Sequence, residues 1–503
     1  MTKHRALKRQ MEQLLDLNEQ GQLNVIVQMD GDQAFSRRLS DAAGLAVSRR
    51  RLALNPRDLL PRADGKQPSA RIGKETASTK TLLDDAKREA FALKRIQESG
   101  LNGLMANPIV QKAIAGMLEP ARKSARAGEQ PSRFWTSRAM PLRLNRDDLA
   151  KLPDAVPGIR SININRHLSL PNVAETRQSA LETEELLDVA WGLERSNALA
   201  AWGTYGARGK GVKIGLLDTG VDADHPDLKG KVSDWAEFDG NGYPVPGSKA
   251  HDSDEHGTHC AGTLVGDGAS GRHIGVAPDA TIAAGLVLNG AQGGTDAQVL
   301  AGIDWAAGAG VDVLSLSLGG LVMDPETPPT YMEAMLSCVE IGIPVVAAIG
   351  NEGEQTTGSP GNNLFSLSVG ATDHEDRVAG FSGGRTQIIY ESDYIAPEHL
   401  PLPYSKPDLT APGVAIYSSV PGGGYKSISG TSMAAPHVAG AIALLLSATT
   451  LKRRASGMDL SSAIQDFVTG SVCDLGESGQ DHRYGFGRLD VLRMIGFAKN
   501  RGY

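Results

Sequence analysis

Cysteine is scarce in this sequence: Cys260, Cys338 and Cys473 are the only three in 503 residues. So small and odd a set offers no disulfide framework and fits a reducing compartment. No run of about 18 apolar residues occurs of the kind that would span a membrane. The first residues, MTKHRALKRQMEQLLDLNEQ, lack the apolar core and small-residue cleavage site of a secretory signal. Residues 1–20 instead read as an amphipathic helix. These absences give the expectation of a cytoplasmic chain with no membrane partner. What remains is ordinary for a globular protein, with 41% hydrophobic and 22% charged residues. The length suits two or three domains.

The charge is uneven. Residues 1–170 carry 30 Lys and Arg against 18 Asp and Glu, whereas residues 171–503 carry 21 against 40. Two halves of opposite sign should attract each other. Nucleic acid is not favoured as a partner. The basic residues are interleaved with acids, and Trp135 is the only tryptophan before residue 190.

In residues 21–170, LNVIVQM (Leu23–Met29) has the alternation of a strand. The stretch from Ser137 to Leu170 reads strand, helix, strand, with Asn145 as a helix cap and Pro157-Gly158 as the turn before Ile159–Ile164. A helical insertion, about residues 75–130, separates them, and Leu82–Gln97 shows its near-helical spacing. Residues 171–190 are polar and acidic and read as a linker. From 191 to 495 the texture changes to buried-strand runs alternating with small-residue helices. This pattern predicts an α/β fold, a doubly wound, mainly parallel sheet with helices on both faces. In such sheets, sites lie at the carboxyl ends of strands.

Four polar residues stand at those ends. Asp218 closes the strand VKIGLLD, and His256 opens a helix in DSDEHGTHCAG. Asn351 follows IPVVAAIG, and Ser432 lies in GTSMAAPHVAG. Taken alone, each has a structural explanation: Asp218 and Asn351 as turn residues, His256 as a cap or metal ligand, Ser432 as a helix cap. His251 and His259 lie near His256, but no Cys or His partner has the spacing of a zinc site. Taken together, the four would meet on one sheet edge. A serine needs a base to become a nucleophile, a histidine needs a carboxylate to fix its tautomer, and an amide can hold an oxyanion.

The segments LLDTGVDADHPDL, HGTHCAGT and GTSMAAPHVAG, in that order and with AIGNEG between the last two, resemble the subtilisin-like serine proteases (subtilases). The wording around His256 is closest to that of the proteinase K-like members. The resemblance implies Ser432 as nucleophile, His256 as general base and then acid, and Asp218 as its orienting partner. Asn351 and the Ser432 N–H would form the oxyanion hole. Substrate would lie between Ser317, Leu318 and Gly319 on one side and Gln292, Gly293 and Gly294 on the other. Gly358 would lie at the floor of a roomy apolar pocket. Cys260 would be a buried thiol beneath the histidine. Asp254 and Glu255 suggest attraction of a basic substrate residue beside the scissile one.

Two departures from the family pattern stand out. The loop GDGASGRH has Ala269 where a calcium-ligating Asn is expected, although Asp227 is present. The usual tight calcium site therefore looks incomplete; no cofactor is required, and structural calcium elsewhere is left open. The segment of about Arg385–Pro403 is an insertion that could dock a partner. Residues 21–170 resemble a subtilase propeptide, which implies a zymogen inhibited by its own N-terminal domain and self-cleaved within residues 171–190. The expected activity is a serine endopeptidase acting on proteins or peptides. A regulated effector with one substrate, or a silent binding protein on this fold, are the alternatives.

Overall fold

The computed structural model describes residues 2–17, 21–30, 40, 44, 85–122, 132–175, 188–324, 329–392 and 394–503. Parts of the helical insertion and of the acidic linker lie outside the described residues.

The N-terminal unit is built on a three-stranded antiparallel sheet with Gln22–Met29 in the middle, between Ala139–Asn145 and Ile159–Ile164. Alternation divides the middle strand by face. Val25, Val27 and Met29 join a local core with Leu142, Leu144, Leu149 and Leu152. The helix Thr2–Leu17 closes that core with Leu7, Met11 and Leu14. The opposite face meets the rest of the chain: Ile26 belongs to the larger core, and Gln28 Nε2 donates to the Thr330 carbonyl (3.4 Å). Asn145 caps the helix Arg146–Ala155 by accepting from the Asp148 N–H at 2.8 Å. Helices Asp85–Glu98, Leu101–Ala106 and Pro108–Arg122 form the described part of the insertion.

From residue 191 the fold is a seven-stranded sheet. Its order is Leu409–Pro412, Leu367–Thr372, Val345–Ala348, Val313–Leu316, Lys213–Asp218, Thr281–Leu286, Val232–Glu237. Every pairing is parallel. Helices cover both faces, so most of its strands read as continuous apolar runs. Side-chain alternation sorts them into two cores. Ile214, Leu216, Val313, Val346 and Ala348 pack with the helix Thr431–Ala448 on one face. Leu217, Leu314, Leu316, Val345 and Ala347 pack with helices Asp296–Gly308 and Met332–Glu340 on the other. Phe134, Ile26 and Leu168 join this second core, so the N-terminal unit rests on that side.

Among the described residues, Thr431–Ala448 is the one helix long and apolar enough to cross a membrane. It is the central helix of a core, buried from Thr431 to Leu446. The segment expected to be an insertion forms an antiparallel hairpin, Arg385–Ile389 with Leu402–Lys406.

Chain order reverses around the strand Lys213–Asp218: later strands are added on both of its sides. The carboxyl end of this strand is therefore a switch point. Backbone meets backbone there. Gly220 has φ 111°, and a Cβ on it would strike the His251 carbonyl; a Cβ on Gly257 would strike the Gly220 carbonyl. Gly257→Ala should accordingly destabilise by about 2 kcal/mol or more. Gly103→Ala, in an open helical position, should be neutral or stabilising by about 1 kcal/mol. Thermal melts in a Ser432→Ala background would check both.

Candidate active site

Asp218 is the last residue of its strand and is fully buried. His256 opens the helix His256–Val265, also buried. Its Nδ1–H donates to Asp218 Oδ1 at 2.7 Å, and the Thr219 N–H donates to the same oxygen at 2.7 Å. This fixes the tautomer and leaves Nε2 as the basic nitrogen. Burial, the largest single influence, lowers the imidazole pKa, but Asp218 and the Cys260 sulfur together raise it to well above 6.5.

Asp252 connects the two elements. Thr219 Oγ1 donates to Asp252 Oδ1 at 2.7 Å and accepts the Gly257 N–H at 2.9 Å. The Thr258 N–H and hydroxyl donate to Asp252 Oδ2 at 2.7 and 2.5 Å. Sequence reasoning missed Asp252. Its only signal was the acidic run before His256, where attention fell on Asp254 and Glu255. Those two are engaged elsewhere: Asp254 accepts the His256 N–H at 3.3 Å, and Glu255 takes both its short contacts from Lys426 Nζ, at 2.7 and 3.0 Å.

Ser432 is the second residue of the Thr431–Ala448 helix and is fully buried. Pro436, four residues on, has no N–H, so the Ser432 carbonyl lacks its usual helical partner. That carbonyl accepts from Ser317 Oγ at 2.8 Å and Cys260 Sγ at 3.4 Å. Cys260 Sγ also lies 3.9 Å from His256 Nδ1, so the thiol sits where the histidine and serine helices meet. Ser432 Oγ donates to the Ser317 carbonyl at 3.3 Å, and among the described residues His256 Nε2 has no hydrogen-bond partner. The serine hydroxyl is thus not hydrogen-bonded to the imidazole in this state.

Asn351 is fixed through its oxygen. Oδ1 accepts from the Thr431 N–H and hydroxyl, both at 2.8 Å, which turns Nδ2 outward. Nδ2 donates to the carbonyl of Asn172 at 2.8 Å. Residues 167–175 accordingly run through the cleft. His167–Leu168 pairs antiparallel with Gly294–Thr295, and Ala174–Glu175 pairs with Ile428–Ser429. The polar linker expected from residue 171 thus begins with a strand. Pro171 lines a pocket with Leu318, Gly319, Ala348, Glu352 and Gly358, beside Ser432. Gly293 approaches the Leu168 carbonyl too closely for a Cβ, and His167 Nε2 lies 2.6 Å from the Gln292 carbonyl. Leu318, Gly319 and Gly358 line this pocket, and Gln292, Gly293 and Gly294 lie against His167 and Leu168 on the other side, whereas Ser317 is buried behind Ser432.

His259 is a structural residue. Its Nε2 contacts the carbonyls of Ile416 and Lys426 at 2.9 and 3.2 Å, and burial lowers its pKa to about 3. Asp218, His256 and Cys260 bring donor atoms within 4.8 Å of one another. The His256 nitrogen facing that cluster is already bonded to Asp218. At the expected calcium position, Asp227 Oδ1 accepts the Ala269 N–H at 2.8 Å and Oδ2 accepts the Tyr425 hydroxyl at 2.5 Å.

Comparison with known proteins follows the same residues. Residues 209–487 match the family model described as the subtilase family. An intracellular serine protease of Paenibacillus polymyxa is 37% identical over 271 residues, covering 52% of this chain and 74% of that protein. Subtilisin E of Bacillus subtilis (strain 168) is 35% identical over 282 residues, covering 55% and 66%. An alkaline protease of Alkalihalobacillus alcalophilus is 36% identical over 276 residues, covering 55% and 64%. The chain thus spans about two thirds to three quarters of the length of these relatives.

The opposing effects on His256 can be separated. With histidine ring carbons labelled and Ser432→Ala to prevent self-digestion, NMR should show His256 titrating above pH 6.5. Asp218→Asn removes the raising charge but not the burial, so its midpoint should fall below 6.5. An unchanged midpoint would show that Asp218 does not set the charge of this ring.

Proposed function

The chain belongs to the subtilase family and is a subtilisin-like serine endopeptidase, and from that premise we propose that Asp218, His256 and Ser432 form its catalytic triad and that its N-terminal unit holds it as a self-inhibited zymogen. The observation that carries this reading is the 2.7 Å hydrogen bond from His256 Nδ1 to Asp218, with Ser432 and the Asn351 amide at the same sheet edge.

The reaction needs one small movement. Ser432 Oγ leaves the Ser317 carbonyl and turns to His256 Nε2. As Oγ attacks the scissile carbonyl carbon, Nε2 takes its proton, and Asp218 stabilises the imidazolium. The oxyanion is held by Asn351 Nδ2 and by the Ser432 N–H, which as a first-turn helix donor has no intrahelical acceptor. Collapse expels the amine with the proton from Nε2 and leaves an acyl-enzyme. Water, activated by the same nitrogen, releases the acid.

The tail supports inhibition. A productive substrate presents its pocket side chain and its polarised carbonyl from one residue. Asn172 sets its carbonyl on Asn351 Nδ2 and its side-chain amide 3.5 Å from Glu352 of the pocket, which Pro171 also lines. Residues 167–175 thus lie along both sides of the cleft as an extended substrate would, which suits occupation of the site by the chain itself. Substrates would be extended polypeptides with an apolar residue in the pocket lined by Leu318, Leu321, Ala348 and Gly358. Glu352 stands at its rim, with Oε1 3.5 Å from Asn172 Nδ2. Glu255 is paired to Lys426, which leaves the exposed Asp254 as the acid before His256 that would face a basic substrate side chain. Localisation in the cytoplasm is part of this proposal, and the intracellular relative is consistent with it.

At the expected calcium position the residues do not fit the ion. Ala269 offers no side-chain ligand, and both Asp227 oxygens are already hydrogen-bonded. Chelation should leave the melting temperature of the Ser432→Ala protein unchanged, and a clear drop that Asp227→Asn abolishes would show that this position binds calcium.

On a gel, the wild-type chain should separate into two fragments, cut between residues 168 and 190, while Ser432→Ala stays whole. Equal cleavage of both forms would rule out self-processing. Fluorophosphonate should label Ser432, and Asp218→Asn should lower kcat about 10⁴-fold. Because the base must be neutral and its pKa is raised, kcat/KM should climb with pH through a midpoint above 6.5.

A further inference from the structure

The inserted hairpin has a partner within the chain. Tyr394, between its two strands, is buried, and its hydroxyl donates to Glu333 Oε1 at 2.5 Å and accepts from Arg138 Nη2 at 2.8 Å. Glu333, on the Met332–Glu340 helix, is gripped by Arg138 through Nε at 3.1 Å and Nη2 at 2.9 Å. Arg160 Nη1 reaches the same carboxylate at 2.5 Å, and its guanidinium lies over the Tyr394 ring, 4.2 Å from the centroid. Arg138, Glu333 and Tyr394 are each at most 3% exposed. Both arginines come from the N-terminal unit, while the acid and the phenol come from the catalytic part.

Such a cluster is a poor source of net stability, because four polar groups lose their water. Removing one member is costly all the same, since it strands buried charge. The Tyr394 hydroxyl serves both sides of this interface, accepting from one side and donating to the other. The cleft segment 167–175 has its own partners, among them Gln292, Gly294, Thr295, Asn351, Glu352, Ile428 and Ser429. The cluster is therefore one hold on the N-terminal unit among several, separate from the cleft segment and from pairs such as Arg95–Glu340 and Arg166–Asp296.

We propose that the hairpin Arg385–Lys406 is a clasp for the N-terminal unit, retaining it on the enzyme independently of the covalent link through residues 176–187. Cutting that link then does not by itself release activity; the clasp must also open. The inference rests on the reading of the N-terminal unit as inhibitor.

Hydrogen–deuterium exchange in the Ser432→Ala background tests it without any cleavage. Tyr394→Phe and Arg160→Ala, as separate variants, should speed exchange of amides in residues 139–145 and 159–168 by about 10- to 100-fold, the loss expected for a charged buried hydrogen bond. Amides of the strands Val313–Leu316 and Val345–Ala348 should not change, which separates undocking from unfolding. Unchanged exchange at the N-terminal unit in both variants would overturn the clasp. In the active protein after cleavage, the two halves should co-migrate by size exclusion for wild type and part for Tyr394→Phe. Wild-type halves that part at once would also overturn it. Rapid fluorophosphonate labelling of intact wild type would defeat the inhibitor reading alone, because the exchange arm does not depend on it.

Discussion

A sheet of seven parallel strands covered on both faces leaves polar side chains few places to go. Most of its inner strands carry apolar residues on two sides, so chemistry is pushed to their carboxyl ends, where the backbone leaves the sheet. The strand Lys213–Asp218 has neighbours that follow it in sequence on both sides, and the opening this creates sets the positions of everything else. Asp218 stands at its end, the His256 helix starts beside it, and the Ser432 helix points in from one core. The close passage of Gly220 and Gly257 is what allows the first two elements to approach. Pro436 then frees a carbonyl that Ser317 and Cys260 use to tie the third to them.

The second organising force is charge. The opposite signs of the two halves resolve into specific pairs across the interface: Arg95 with Glu340, Arg138 and Arg160 with Glu333, and Arg166 with Asp296. Each places the base on the N-terminal unit and the acid on the catalytic part. The Arg166–Asp296 fork is capped by the Tyr331 hydroxyl, which donates to Asp296 at 2.7 Å. Asp304, which burial pushes up to about 7, accepts the backbone N–H groups of Trp135 and Thr136. Attraction between oppositely charged blocks of sequence brings the halves together, but buried geometry decides the register.

Much of this was legible in the sequence, and the exceptions share a cause. The strand Gln22–Met29, the Asn145 cap and the parallel alternation follow from local periodicity and from residues a few positions apart. Asp218, His256, Asn351 and Ser432 were found because each sits in a distinctive local motif. Pairings between distant segments were not legible. Nothing in NVAETR announces that Ala174 and Glu175 complete a sheet with Ile428 and Ser429, because the partner supplies the hydrogen bonds. Glu255 read as a free acid, since Lys426 lies 171 residues away. The inserted segment read as a surface for another protein, whereas its tyrosine closes on Arg138 and Arg160 of the same chain.

The middle strand of the N-terminal unit serves two interiors at once, its own core through Val25 and Val27 and the larger one through Ile26. Lifted away, the unit would bring Ile26, Phe134 and Leu168 into water, together with stranded guanidinium groups that had matched Glu333. A fragment with such a face is prone to aggregate or to be degraded rather than to return. On the proposed reading of this unit as inhibitor, its departure would work as a ratchet, and activation would run in one direction only.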